Sequence, residues 1–139
     1  MRKTLLLAIT ALAGQLYAGG FLLLLGNPEA NSEAAKAHAV VVVQAAGCHD
    51  PATAQVTATA VAKDRRIPLK IVKLSTPGSY AIAQQWPADG KWVIELEGHN
   101  GEQITHTLVS AGPGGVDRTH AKFAQQRQFT EAEIASMLE

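Results

Sequence analysis

The densest group of side chains able to do chemistry is Cys48-His49-Asp50. A thiolate beside an imidazole suits soft or borderline cations, so copper or zinc is the chemistry these residue types imply. Two readings of the segment stand: a turn carrying a packed or free thiol, which is the expectation, and a metal-ligand pair. The blue-copper arrangement needs a methionine soon after its cysteine and histidine, and the chain's methionines are Met1 and Met137. No His-Glu-x-x-His zinc pattern is present either. His106 shares strand parity with Ile104 and Leu108, which makes it a hydrogen-bonded core or edge histidine before it is a ligand. His99 sits in a hairpin tip, and it and His106 could join Cys48 only if that hairpin and the first turn occupy the same end of the fold. The ligand set for the metal reading is therefore Cys48, His49, His38 and His106. The default expectation is no cofactor.

Other chemistries find less support. Cys48 is the only cysteine, which excludes an internal disulfide and a four-cysteine zinc site. Ser75, Ser79 and Ser110 lack a Gly-x-Ser-x-Gly elbow or a recognisable base. Gly112-Pro113-Gly114-Gly115 lacks the Lys-Ser/Thr of a phosphate loop. Cationic and acidic residues number 12 each, and the one basic run, Lys63 to Arg66, is broken by Asp64, so no nucleic-acid surface is expected. No enzyme class emerges.

The elements that must position these residues begin with an export signal. Arg2 and Lys3 precede an uncharged apolar stretch, Thr4 to Ala13, of the kind that engages export machinery. Apolar sequence resumes through Phe21 to Leu25, and a helix over Leu5 to Leu25 would be about 31 Å long, enough to cross a bilayer. Residues 1–26 are thus a signal peptide or a transmembrane anchor. Cleavage points are offered by Leu16-Tyr17-Ala18, by Ala35-Lys36-Ala37 and by Ala37-His38-Ala39. Either outcome places the rest of the chain outside the cytoplasm, in the cell envelope. The membrane is a partner only if the segment stays attached.

Residues 27–37, opening with Asn-Pro and rich in small polar residues, read as a spacer. Residues 38–139 then read as one domain. Strands are expected at Ala39 to Ala46, Gln55 to Ala62, Ile67 to Leu74, Ser79 to Trp86, Lys91 to Glu97 and Glu102 to Val109, with a seventh near Val116. Tyr80, Ile82 and Trp86 share one parity; Trp92, Ile94 and Leu96 face inward, leaving Glu95 and Glu97 outside. Pro77-Gly78 suits a type II turn, and Asn100-Gly101 the centre of a type I′ hairpin. Thr130 with Glu133 makes a capping box, stapled by Phe129 to Ile134. The expectation is an all-β fold: an antiparallel immunoglobulin-like sandwich of six or seven strands, with an N-terminal hydrophobic helix and a short C-terminal helix.

Pro77-Gly78-Ser79-Tyr80 followed by Trp86-Pro87-Ala88-Asp89-Gly90-Lys91-Trp92 resembles the hairpin of bacterial immunoglobulin-like envelope domains, including the YtkA-like and FixH-like groups. The match covers Pro77 to Leu96. It implies an envelope location and, loosely, an association with metal or redox systems. Cleavage after Ala37 would also make His38 a mature N-terminus that resembles the start of copper-resistance proteins of the CopC type. The Asp-x-His motif of that family has no counterpart, because Asp117 and His120 are one residue too far apart. The function expected is a non-catalytic envelope module that contacts a protein partner; the alternative is periplasmic copper or zinc binding.

Overall fold

The computed structural model describes residues 20–47 and 50–139. They form two packed antiparallel sheets, an all-β sandwich. Strands β1 (Leu22–Gly26), β2 (Ala39–Ala46), β6 (Ser79–Ala83) and β5 (Val72–Lys73) make one sheet in that spatial order. The other runs β4 (Arg66–Pro68), β3 (Gln55–Val61), β7 (Trp92–Asn100), β8 (Gln103–Gly112) and β9 (Gly115–Gln125). Helices α1 (Ser32–Lys36) and α2 (Glu131–Met137) cover the outer faces.

The core follows side-chain alternation. Val41 and Val43 of β2, Ala58 and Ala60 of β3, and Trp92, Ile94 and Leu96 of β7 point between the sheets and are buried. Tyr80 and Trp86 join the same cluster, as their shared parity leads one to expect. The unbroken apolar run of β2 has its own cause. Its other face is covered too, with Val42 packed against Ala34 of α1, Leu74 and Ala81. At the far side of the five-stranded sheet, Val93 and Leu108 lie under Phe129, Ile134 and Leu138. Helix α2 begins with the expected capping box between Thr130 and Glu133.

Four expectations are corrected. The expected N-terminal hydrophobic helix lies outside the described residues as far as Gly19, and its last part is not helix: residues 22–26 are strand β1, paired in register with Val42 to Ala46. A buried strand and a helix are indistinguishable in a short apolar run, and here partners distant in sequence decide. Leu23 is fully buried, and Thr107 Oγ1 donates to its carbonyl at 3.0 Å. Residues 27–37 are not a loose spacer either. They form a 3-10 turn at Pro28–Ala30, capped by Asn27, followed by α1, whose Asn31 side chain accepts from Ala34 N.

The strand expected from Ile67 to Leu74 is two short strands in different sheets, β4 beside β3 and β5 beside β6. The ladder to β3 runs one bond past Pro68, Leu69 N donating to Ala58 O at 2.9 Å, and the chain then crosses to the other sheet. The hairpin turn is shifted by one residue. Asn100 pairs with Gln103, leaving Gly101 and Glu102 as the central pair. Gly101 has φ 63° whereas Glu102 has no positive φ, as a type II′ turn requires. The Pro77-Gly78 turn is as expected, with Ser79 N bonded to Thr76 O and Gly78 at φ 76°. Among the described residues no helix is long and apolar enough to cross a membrane.

Candidate functional site

Three groups of side chains stand out from the scaffold. The first lies at the end of the sandwich where the β7–β8 hairpin turns. Asp50 caps the 3-10 turn Pro51–Thr53 through Ala52 N. Buried Asn100 donates to Asp50 O at 3.1 Å and accepts from Thr53 Oγ1 at 2.7 Å. Tyr80 OH bonds Ala54 O at 2.8 Å, fixing the same segment from the opposite sheet. Cys48 and His49 lie outside the described residues, but their neighbour Asp50 is tied to the hairpin tip that carries His99. The end-sharing that a metal site would need is therefore met by the flanking residue. His38 is remote from it. It is exposed in the turn between α1 and β2, at the other end of an eight-residue strand roughly 25 Å long.

The second group is on the outer face of the five-stranded sheet. His106 is 1% exposed, and its Nε2 lies 3.1 Å from Glu97 Oε2; His99 Nε2 engages the other carboxylate oxygen. The register pairs Glu97 directly with His106 across β7 and β8. The hydrogen bond from His99, with a further one from His106, holds the Glu97 carboxyl below its ordinary 4.5 against the opposing effect of burial. Among the described residues His106 Nδ1 is buried without a hydrogen-bond partner. Each Nε2 is directed at carboxylate oxygen, which suits a bridging acid between two imidazoles. Among the described residues no cluster of three His, Cys, Asp or Glu is arranged to hold a metal ion. Glu97 is the member that sequence reasoning left as a solvent-facing charge.

On β9, His120 and Asp117 do meet despite their spacing, Nδ1 to Oδ2 at 2.8 Å, with Thr119 also bonded to Asp117. The trio is exposed, and these bonds hold the Asp117 carboxyl below its usual range, Thr119 contributing most.

The third group is apolar. Edge strands β1 and β9 lie side by side, joined by Gln125 Nε2 to Phe21 O at 3.1 Å. Leu22, Leu24, Phe123 and Gln125 line a groove along this seam. Leu24 and Phe123 are 42% and 45% exposed, large apolar side chains left in solvent next to one another on the seam. Phe123 was not singled out from sequence, although a lone aromatic in the polar run from Asp117 to Gln128 is the signal that could have found it.

Compared with known proteins, the chain matches no family model, no curated protein and no solved structure.

Proposed function

We propose that this chain is a non-catalytic, extracytoplasmic β-sandwich module that acts by contacting an envelope protein through the seam between β1 and β9. The observation that carries this reading is the groove itself, with Leu24 and Phe123 exposed beside two strand edges. Exposed apolar side chains rimmed by polar ones are a common mark of a contact surface, and open edges add backbone donors and acceptors. The positively charged start followed by Thr4 to Ala13 supports export. The immunoglobulin-like character and the kinship with YtkA-like and FixH-like domains belong to the same proposal; the type II turn at Pro77-Gly78 and the meeting of Tyr80, Trp86 and Trp92 in one core support them.

Photo-crosslinking in cells tests the reading. A photoreactive residue at Phe123 should give one adduct of defined mass with an envelope protein, and the same residue at Lys70, exposed elsewhere on the domain, should not. Adducts of equal yield from both positions, or none from either, would remove the contact role.

A second reading, copper or zinc binding through Cys48 and His49, is favoured by the tie between Asp50 and the hairpin tip. Copper(I) titration of the protein separates the two: affinity unchanged by Cys48→Ser and His49→Ala discards the metal role.

A further inference from the structure

The two edges that meet at the seam are not equally open. On β1 the carbonyls of Phe21 and Leu23 are already engaged, the first by Gln125 Nε2 and the second by the Thr107 hydroxyl. On β9 the register shows which groups are left over. Gln126 N bonds Ile104 O at 2.9 Å, one step beyond the pairing of Thr105 with Gln125. Hydrogen-bonded and non-hydrogen-bonded pairs alternate along an antiparallel ladder, so Ala124 and Lys122 turn their N–H and C=O groups to β8, and Phe123 and Gln125 turn theirs outward. Strand β9 is the last of its sheet, so among the described residues no strand receives them. Residues 118–121, where the register slips opposite Val109, are bulged away from regular pairing. Residues 122–125 remain regular.

Side chains decide what kind of strand fits this edge. The residue set opposite Phe123 falls on the side of the Phe123 ring, over the groove lined by Leu22 and Leu24, which calls for an apolar side chain there. Its chain neighbours fall on the other face, beside Lys122. Lys122 is exposed and has no ion pair among the described residues. Residues 118–127 hold Arg118, Lys122 and Arg127, the last paired to Glu133, and no acid. A second copy of β9 would therefore bring like charges together across the new ladder, whereas an acidic segment would meet opposite charge.

We propose that the partner contributes an extended segment, apolar at alternate positions and acidic between them, which adds to β9 as a sixth strand of that sheet by bonding the outward N–H and C=O groups of Phe123 and Gln125. The proposal rests on the contact reading above.

The adduct formed in cells from a photoreactive residue at position 123 tests it. Gln125→Pro deletes an outward N–H and spares the ladder to β8, because an edge strand accommodates proline where the N–H faces solvent. Gln125→Ala is the control for the lost side chain. Adduct yield should fall about tenfold in Gln125→Pro relative to Gln125→Ala. It should also fall in Lys122→Glu and hold in Lys122→Arg. In the purified adduct, hydrogen exchange at the Gln125 amide should slow at least about tenfold relative to the free protein, a reading that does not depend on the proline variant folding. The cross-linked partner peptide should alternate apolar residues with Asp or Glu. A helical or acid-free peptide, an unchanged yield in Gln125→Pro, or fast exchange at Gln125 in the adduct overturns the proposal and leaves the contact role standing. An adduct of twice the chain's mass means self-association and overturns it as well. No adduct from position 123, whether or not the protein is retained on phosphatidylglycerol vesicles, removes the contact role itself.

Discussion

Glu97 and His106 face each other across β7 and β8, and among the described residues the carboxylate is the one hydrogen-bond partner of an imidazole that is 1% exposed. A buried polar ring is costly when unpartnered, so the value of Glu97 lies in what its loss would strand. Glu97→Ala should destabilise the domain by about 1 to 3 kcal/mol in denaturant titration. Glu97→Gln keeps an acceptor and should recover much of the loss. Equal midpoints for wild type and Glu97→Ala would mean that water reaches His106.

Acid should weaken the fold in a defined window. Glu97 is held below its ordinary 4.5, and Glu133 is pulled to about 2 by its bonds to Arg127 and to Thr130 N. Both folded values are depressed, so the stabilisation is present above 4.5 and is lost as pH falls through the lower folded values. Thermal melts should therefore decline progressively between pH 4.5 and about 2. Glu133→Gln should flatten the acid end of that decline, and because Glu133 is only half-buried, high salt should shrink its share.

The aromatic hairpin is expected to govern stability. Trp92 is buried, with Arg65 stacked 5.1 Å from its ring centre. Trp92→Ala should cost about 3 to 5 kcal/mol. That corresponds to a fall in melting temperature on the order of 15 °C or more. A shift of only a few degrees would contradict the inward placement of this strand.

A double-mutant cycle tests whether β1 belongs to the core. Gly98 lies inward on β7, and a Cβ there would meet three atoms of the Leu23 side chain at 3.1 Å. Gly98→Ala alone should cost about 1 to 3 kcal/mol through overpacking. Leu23→Ala removes the obstruction, so Gly98→Ala should cost less in that background, a coupling of at least about 0.5 kcal/mol. Strict additivity would place Leu23 elsewhere.

These residues also show what the sequence could carry. Strands β2 and β7 and the cap of α2 were legible because their signals are local: a β-branched run, strict alternation, and Thr130 three residues before Glu133. Strand β1 was not, since its identity depends on Thr107 and Gln125, 84 and 104 residues away from their partners. Strand β9 was reduced to a hint near Val116 because it is an edge strand, mostly exposed, with little alternation to read. The histidine cluster failed by one step of register. With Asn100-Gly101 at the centre of the turn, Glu95 would oppose His106; the turn at Gly101-Glu102 brings Glu97 there instead.

Membrane-impermeant maleimide labelling of intact cells tests the central claim, an extracytoplasmic sandwich with β1 in its core, most directly. In a Cys48→Ser background, Phe123→Cys should label fully once the outer layer is opened and the inner membrane is intact, and Leu23→Cys should stay unlabelled until the protein is denatured. Labelling of Phe123→Cys only after the cytoplasm is released would contradict the location, and rapid labelling of Leu23→Cys in the folded protein would contradict the architecture.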